Sequence, residues 1–548
     1  MLRKYYSLAV ASLLCGALQA QDIYKVETFS GSDLNGTARF VGMGGAMNAL
    51  GADLSTRGSN PAGIGMFRKS DASLSASCIS QPNARLAMDI NKVRGSFDQA
   101  GFVYAMKMPG EGKLKFVNFG FNYQKRRNLK NYAEVLGGQT NGWSQTDVFR
   151  QLSNGFDLNN DRDRDNMLPI VNAAYDAQLS NLQGVDLNGE TYRFNGADAY
   201  NYQRVTWGGI QQYDFNISLN WKDQVYAGLT FGVYNVNMHS SLYYDEDLLF
   251  QHPTNGSVIV NGEGNLPYYY SYQDEAINGT GFDFKLGVIA RPIEDSSFRI
   301  GFSVSTPIFF DLTQESSIYF NSPFALPREG DANYRPYAYS SNPDEYTESD
   351  FYTGGFDYRI RTPWKVNLSL GGTVGNFLAL DGEYEATFYK SASVGYPDFD
   401  YYGFADGSTS NDRWINKDID NYMQTTHTLR LGAEAKFADI MYLRAGYNYV
   451  SSPFKKSAFL DLFTPSPNYY ARTNTDYLNL GDTQRVTLGL GCRSKHFYGD
   501  IAYQYQRQRG DLYAFNYFEG NTVQDNYLPA QKVNLDRHQV LFTVGYKF

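Results

Sequence analysis

Apolar and polar residues alternate with a period of two from about residue 70 to the end of the chain. That period marks sheet with two unlike faces. In the last segment Val540, Phe542, Val544, Tyr546 and Phe548 share one face, against Gln539, Thr543, Gly545 and Lys547 on the other. Leu429, Leu431, Ala433, Ala435 and Phe437 stand against Arg430, Gly432, Glu434 and Lys436. Val225, Ala227, Leu229, Phe231 and Val233 likewise stand against Tyr226, Gly228, Thr230, Gly232 and Tyr234. The pattern predicts fourteen strands, near 71–79, 95–108, 114–126, 212–222, 224–239, 280–291, 297–313, 355–372, 377–390, 426–437, 441–452, 482–494, 497–511 and 533–548. The connections alternate in length. Short turns fall at 109–113, 222–223, 292–297, 374–376, 438–440 and 494–496, and long loops at 80–94, 127–211, 240–279, 314–354, 391–425, 453–481 and 512–532.

Composition decides which face meets what. The 548 residues are 16% aromatic, with 45 Tyr and 37 Phe, and only 19% charged. A mean hydropathy of −0.45 excludes a bundle of membrane helices, which needs runs of about 20 apolar residues. The formal net charge of −9 disfavours nucleic acid as a partner, because neutralising phosphates takes clustered Lys and Arg. A polar average with many aromatics and an even strand count suits an all-β, fourteen-stranded antiparallel transmembrane barrel, apolar outside and polar within. Long loops are then extracellular, and the short turns and both termini periplasmic.

The ends of the chain fit that compartment. Arg3 and Lys4 precede an apolar stretch from Ser7 to Leu18, and Ala20 offers a small residue for cleavage, so 1–20 reads as a secretory signal. Cys15 follows the bulky Leu14, which disfavours lipidation. Cys78 and Cys492 fall in strand segments and make no disulfide framework. Residues 21–68 carry Gly, Ala and Asn without alternation, too few for a domain but enough for a hatch inside the barrel that 69–548 would form. Within 127–211, Ser144–Leu152 and Leu168–Leu179 have helical spacing.

The hatch holds three ordered motifs: Thr37-Ala38-Arg39-Phe40-Val41-Gly42-Met43-Gly44-Gly45-Ala46, then Ala49-Leu50-Gly51-Ala52-Asp53, then Asn60-Pro61-Ala62-Gly63. Pro61 fixes φ and pushes Asn60 into an extended conformation, from which its amide can bond nearby backbone. Gly44 and Gly45 permit tight turns in a crowded lumen. Further along come Arg299-Ile300-Gly301-Phe302-Ser303 with Thr306-Pro307, Thr362-Pro363-Trp364-Lys365, and Leu443-Arg444-Ala445-Gly446-Tyr447 with Ser452-Pro453. Taken in order, these resemble the FadL/TodX family of outer-membrane transporters for hydrophobic compounds, in which an Asn-Pro-Ala triplet closes an N-terminal hatch.

The resemblance implies passive passage of hydrophobic small molecules, foremost long-chain fatty acids or similar lipids, through a monomer in the outer membrane. It implies no enzyme activity and no cofactor. Membrane lipid and the barrel-assembly machinery would be its partners, the latter engaging the terminal Phe548. A lateral exit would need a kinked strand, for which 114–126 with Gly120 is the candidate. The long loops 127–211, 240–279 and 314–354 depart from the better-known members, which leaves open a structural or shuttle role in protein export. Some relatives are labelled haemin receptors, but His239, His252, His427, His496 and His538 are scattered and suggest no axial ligand.

Other candidate chemistry is weaker. Asp157, Asn159, Asp161, Asp163 and Asp165 resemble a calcium loop, but Arg162 sits where Gly is wanted and Leu168 where Glu is. A solvated loop is the plainer reading, and no metal site is assigned. Asp381, Glu383 and Glu385 share an inward face, where lumenal carboxylates meet Arg and Lys of neighbouring strands more often than they do acid–base work. No hydrolase elbow, phosphate loop or zinc-protease motif occurs.

Overall fold

The computed structural model describes residues 22–548 apart from 83–92, 111, 155, 157–159, 161–163, 165–166, 181, 188–189, 261–263, 294, 326–337, 341–345, 400–404, 461, 463–470 and 518–527. The secretory signal and the carboxylates of the calcium-like run lie outside the described residues.

The chain enters through α1 (Ile23–Ser30), α2 (Ala38–Gly42) and two 3-10 turns, Leu54–Gly58 and Pro61–Met66. The wall follows: β1 (Asp71–Ser80), β2 (Val93–Lys107), β3 (Leu114–Asn128), β4 (Glu190–Trp221), β5 (Val225–Gln251), β6 (Tyr268–Ala290), β7 (Arg299–Ser305 and Phe309–Ser322) and β8 (Thr347–Arg361 and Trp364–Val374). It continues with β9 (Leu378–Phe388), β10 (Thr426–Lys436), β11 (Met441–Val450), β12 (Tyr477–Arg493), β13 (Phe497–Tyr513) and β14 (Gln531–Asn534 and Arg537–Lys547). Each strand pairs antiparallel with the next. The ring closes where β14 lies on β1 from Asp71↔Lys547 to Ser80↔His538. Closure leaves no strand of the ring without a neighbour on both sides, as lipid requires because it cannot hydrogen-bond a free backbone group.

The two faces are inverted relative to a soluble protein. Outward side chains include Leu74, Phe102, Phe119, Ile217, Leu229, Leu286 and Phe302 on β1 to β7. Leu368, Leu380, Leu431, Leu443, Leu488, Ile501 and Val544 continue the belt around β8 to β14. All are exposed, from 38% for Ile501 to 61% for Leu286. Inward positions such as Ser75, Asn118, Asp214, Ser303, Glu383, Arg444 and Thr487 are buried and polar. An exposed apolar ring around a buried polar interior is a membrane-spanning barrel. No described helix is long and apolar enough to cross a membrane.

Two findings correct the sequence reading, and a third shows where its two expected helices, Ser144–Leu152 and Leu168–Leu179, belong. First, β4, β5 and β6 run far past their expected upper ends, so 190–211, 240–251 and 268–279, expected as loop, are strand. Above the lipid belt the apolar face no longer points outward, and the alternation that marks a spanning segment stops there. Second, β7 and β8 break side by side at Thr306-Pro307 and Thr362-Pro363, where proline offers no N–H to the ladder. Threonine hydroxyls take over: Ile308 N–H donates to Thr362 Oγ1 at 2.8 Å and Phe284 N–H to Thr306 Oγ1 at 3.0 Å. Third, the upper strand extensions carry a folded cap. Within it, α3 (Gln145–Ser153) and α4 (Pro169–Asp176) pack Val148, Phe149, Ile170 and Val171 against Tyr244, Phe250, Tyr269 and Phe320 in a core of their own.

Candidate functional site

The segment from Asp22 to Phe67 lies inside the barrel, and its small residues explain how it fits. Thr37 caps α2 by accepting from Phe40 N–H at 3.1 Å. Gly44 and Gly45 follow with φ of +65° and +80°. A Cβ on Gly44 would come within 2.8 Å of the Tyr447 nitrogen, so a side chain is excluded by strain and by the wall alike. Facing it, a Cβ on Gly446 would stand 2.1 Å from the Gly44 nitrogen.

Charged wall residues grip this backbone. Glu383 Oε1 accepts from Met47 N–H at 2.6 Å and Asn48 N–H at 2.7 Å, while Asp381 Oδ2 accepts from Ala49 N–H at 3.1 Å and Leu50 N–H at 2.8 Å. Four successive plug amides therefore end on two carboxylates of β9. Glu383 and Glu385 also meet Arg430 of β10 at 3.1 Å each, the neighbouring-strand pairing anticipated for them. Arg39 makes a forked pair with Glu434, both contacts 2.9 Å, and Glu434 continues through Arg444 to Asp500. Planar, bidentate contacts of this kind fix orientation as well as distance.

Asn60 and Pro61 sit at the foot of the plug. Asn60 Oδ1 accepts from Ala62 N–H at 3.1 Å, and its amide donates to Asn48 C=O at 3.2 Å and to Val288 C=O at 3.4 Å. Ser218 Oγ donates to Pro61 C=O at 2.8 Å. Ala62 is wholly buried. The seat is made of wall glycines: a Cβ on Gly287 would lie 2.0 Å from Asn60 Oδ1, and one on Gly228 2.4 Å from the Pro61 carbonyl carbon.

Gly120 is not a kink. It stays paired on both sides, with Val103 of β2 and Asn216 of β4. The irregularities of β3 fall at Leu114/Phe116 and Lys125/Arg127 instead. What Gly120 provides is room: a Cβ there would lie 2.8 Å from the Arg57 guanidinium, which donates from Nη2 to Phe102 C=O at 2.8 Å. A glycine that interrupts a bulky pattern reads alike whether it bends a strand or admits a partner, and only the fold separates the two.

The wall does loosen above this point. β2 and β3 pair from Gln99↔Gln124 down to Lys107↔Phe116, but no ladder pair joins 93–98 to 125–128, all of them described residues. Side chains bridge the seam. Asn35 Nδ2 donates to Asp98 Oδ1 at 3.0 Å and to Lys125 C=O at 3.1 Å, and Lys125 Nζ donates to Ser96 Oγ at 2.8 Å. Phe97 and Tyr123 stack outside it at 5.4 Å.

Behind the seam, on the extracellular side of the plug, lies a cavity of about 380 Å³. Its lining includes Asn35, Gln124 and Arg126 near the seam, α1 residues Tyr24, Glu27 and Ser30, and Met238, Ile308, Phe454 and Leu480. None of the five histidines lines it. His239 stacks on Trp207, and His427 and His538 accept or donate at Tyr384 and Tyr503 hydroxyls. Cys78 and Cys492 are free and exposed. Phe548 is 59% exposed, and its N–H donates to Ser70 C=O at 3.1 Å.

No family model and no curated protein matches the sequence. Among solved structures, a Pseudomonas aeruginosa FadL homologue aligns at 13% identity over 94% of this chain and 99% of its own, with a TM-score of 0.49. The Ralstonia pickettii toluene transporter TbuX aligns at 14% identity over 94% and 99%, with a TM-score of 0.45. The P. putida toluene transporter TodX gives 13% identity over the same shares, with a TM-score of 0.42.

Proposed function

We propose that the protein is a bacterial outer-membrane transporter that passes hydrophobic small molecules without catalysing a reaction. One arrangement carries this reading: a chamber bounded below by a plug bonded to the wall and above by a folded cap, with an unpaired seam between β2 and β3 beside it. A solute in the chamber meets a tightly held floor, whereas no ladder bond joins the two strands across the seam. Leaving sideways into the membrane therefore costs fewer bonds than displacing the plug. Passive flow needs only a chamber of moderate affinity and a barrier with two arrangements of similar energy.

Long-chain fatty acids and similar lipids are the substrates we favour. The named ligands of TbuX and TodX, toluene in both cases, make small aromatic hydrocarbons the class to test beside them. Phe548, at the end of the lipid-facing register, is proposed as the signal for the barrel-assembly machinery, so deleting it should lower the heat-modifiable, folded fraction.

Uptake of a labelled fatty acid and of labelled toluene by a strain lacking the protein, with and without a plasmid copy, tests the function. The Ser96→Cys, Lys125→Cys pair joined by a short bis-maleimide tests the route. Cross-linking should abolish uptake of the transported class and leave the barrel folded. Uptake indifferent to the protein would reject transport, and cross-linked protein that still transports would reject the seam.

A further inference from the structure

Nine cationic side chains line the chamber, and six of them are matched. Lys25 pairs with Glu275, Arg127 with Glu27, Arg204 with Asp476, Lys285 with Asp214 and Asp283, Arg430 with Glu383 and Glu385, and Arg537 with Asp33. Arg126, Lys365 and Arg485 have no carboxylate within ion-pair distance among the described residues. Arg126 and Arg485 are 8% and 6% exposed. Burying a guanidinium without a direct ion pair costs several kcal/mol, which applies to Arg126 and Arg485. Lys365 is half-buried, and Glu385 of the same lining attracts both it and Arg126 from beyond ion-pair distance.

Two of these cations converge. Arg126 Nη2 donates to Ser30 C=O at 3.1 Å, and Lys365 Nζ donates to the same oxygen at 3.3 Å. That carbonyl is the last of α1, where the helix dipole is negative. Arg127 adds bonds to the carbonyls of Glu27 and Thr28 at 2.8 and 2.7 Å. A neutral carbonyl thus holds a place between the Arg126 and Lys365 side chains. Arg126 Nε has no partner among the described residues. Arg485, from β12, spends Nε on Gln506 and Nη1 on Asn448, both neutral, at 2.8 and 2.9 Å. Met238, Ile308, Phe454 and Leu480 give the same chamber an apolar portion.

We propose that the chamber binds a doubly charged oxyanion of the phosphate-monoester class beside Ser30, between Arg126 and Lys365, with Arg485 adding attraction. A single carboxylate would answer one of the two converging cations, and a neutral hydrocarbon neither. A tetrahedral dianion offers several acceptors to both an ammonium and a guanidinium. The same chemistry is presented by a small free organic phosphate and by the headgroup of a short amphiphile whose tail takes the apolar portion. The site assumes that the chamber admits solutes, as the transport reading holds. Binding to purified protein is nevertheless measured apart from uptake, so either idea can fail alone.

Calorimetric titration of the full-length protein in a neutral detergent, with glycerol phosphate, octyl phosphate, octanoate and octanol as probes, tests the proposal. Phosphate-bearing probes should bind at least tenfold more tightly than octanoate, and octanol not measurably. Octyl phosphate well above glycerol phosphate identifies a headgroup; equal affinities identify a free phosphate. Arg126→Gln with Lys365→Met should weaken binding at least tenfold. Because that pair also touches the plug, Arg485→Gln is the independent variant: it should weaken binding severalfold with the heat-modifiable fold retained. Octanol or octanoate binding as tightly as octyl phosphate, no phosphate binding at all, or Arg485→Gln protein binding unchanged would overturn the site.

Discussion

At the scale of single residues, the plug is held by polar groups with few substitutes. Asn60 serves three backbone groups at once, and Pro61 stiffens the chain that presents it. A buried group stripped of its partner costs about 1–3 kcal/mol. Replacing both residues with Ala should therefore loosen the foot of the plug while the wall, closed through its own ladder, stays folded. In planar bilayers the wild type is expected to be closed or nearly so, and the double variant, or a deletion of residues 21–58, to conduct more. A deleted protein that folds and inserts yet conducts no better than wild type would show that the plug does not limit passage.

At the scale of elements, the cap hangs on one carboxylate. Glu246 lies on the extracellular extension of β5, far beyond its lipid-facing residues, and accepts from Ser144 Oγ at 2.5 Å and Gln145 N–H at 2.8 Å. It thereby holds the start of α3. The Tyr244 hydroxyl bonds it too, Tyr269 adjoins it, and Asp147 is the nearby like charge. Burial pushes the Glu246 carboxyl up to about 7, against the lowering effect of its hydrogen bonds. The folded cap then holds a proton that the unfolded chain releases near the ordinary carboxylic range. The stability this contributes is full below that range and is lost as pH rises through about 7, by at most about 1.4 kcal/mol per pH unit. Amide exchange in 145–153 should accordingly be slower at pH 5 than at pH 8 after correction for intrinsic rates. Glu246→Gln should flatten the difference. Equal protection at both pH values in the wild type would refute the latch.

For the whole molecule, orientation is the property to check. The cap, with α3 and α4, sits at the end of the barrel opposite the turn at 109–113. Protease applied to intact cells should cut within 154–168 and spare 109–113. Cleavage at the short turn without permeabilisation would reverse the topology and with it the direction of transport.

What the sequence determined by itself was the wall. A period of two is written residue by residue, so the belt through Leu74, Leu229, Leu431 and Val544 and the count of fourteen strands were legible without a fold. The plug was legible as a segment, because Gly44, Gly45 and the Asn60-Pro61 pair break the alternation in a way that has local causes. Only the tertiary structure decided what these parts touch. That Asp381 and Glu383 take four plug amides, that Gly120 makes room for Arg57, and that Gly228 and Gly287 form a seat all depend on contacts between residues far apart in the sequence. The upper halves of β4 to β6 escaped for a related reason: above the lipid no apolar solvent imposes an outward pattern, and the β5–β6 register is carried up from the wall by an unbroken ladder from Val225↔Ala290 to Asp247↔Tyr268. The chamber escaped altogether, since Arg126, Lys365 and Arg485 come from three distant strands. Whether a lumenal cation has a partner is a property of the closed ring, which exists only once β14 has met β1.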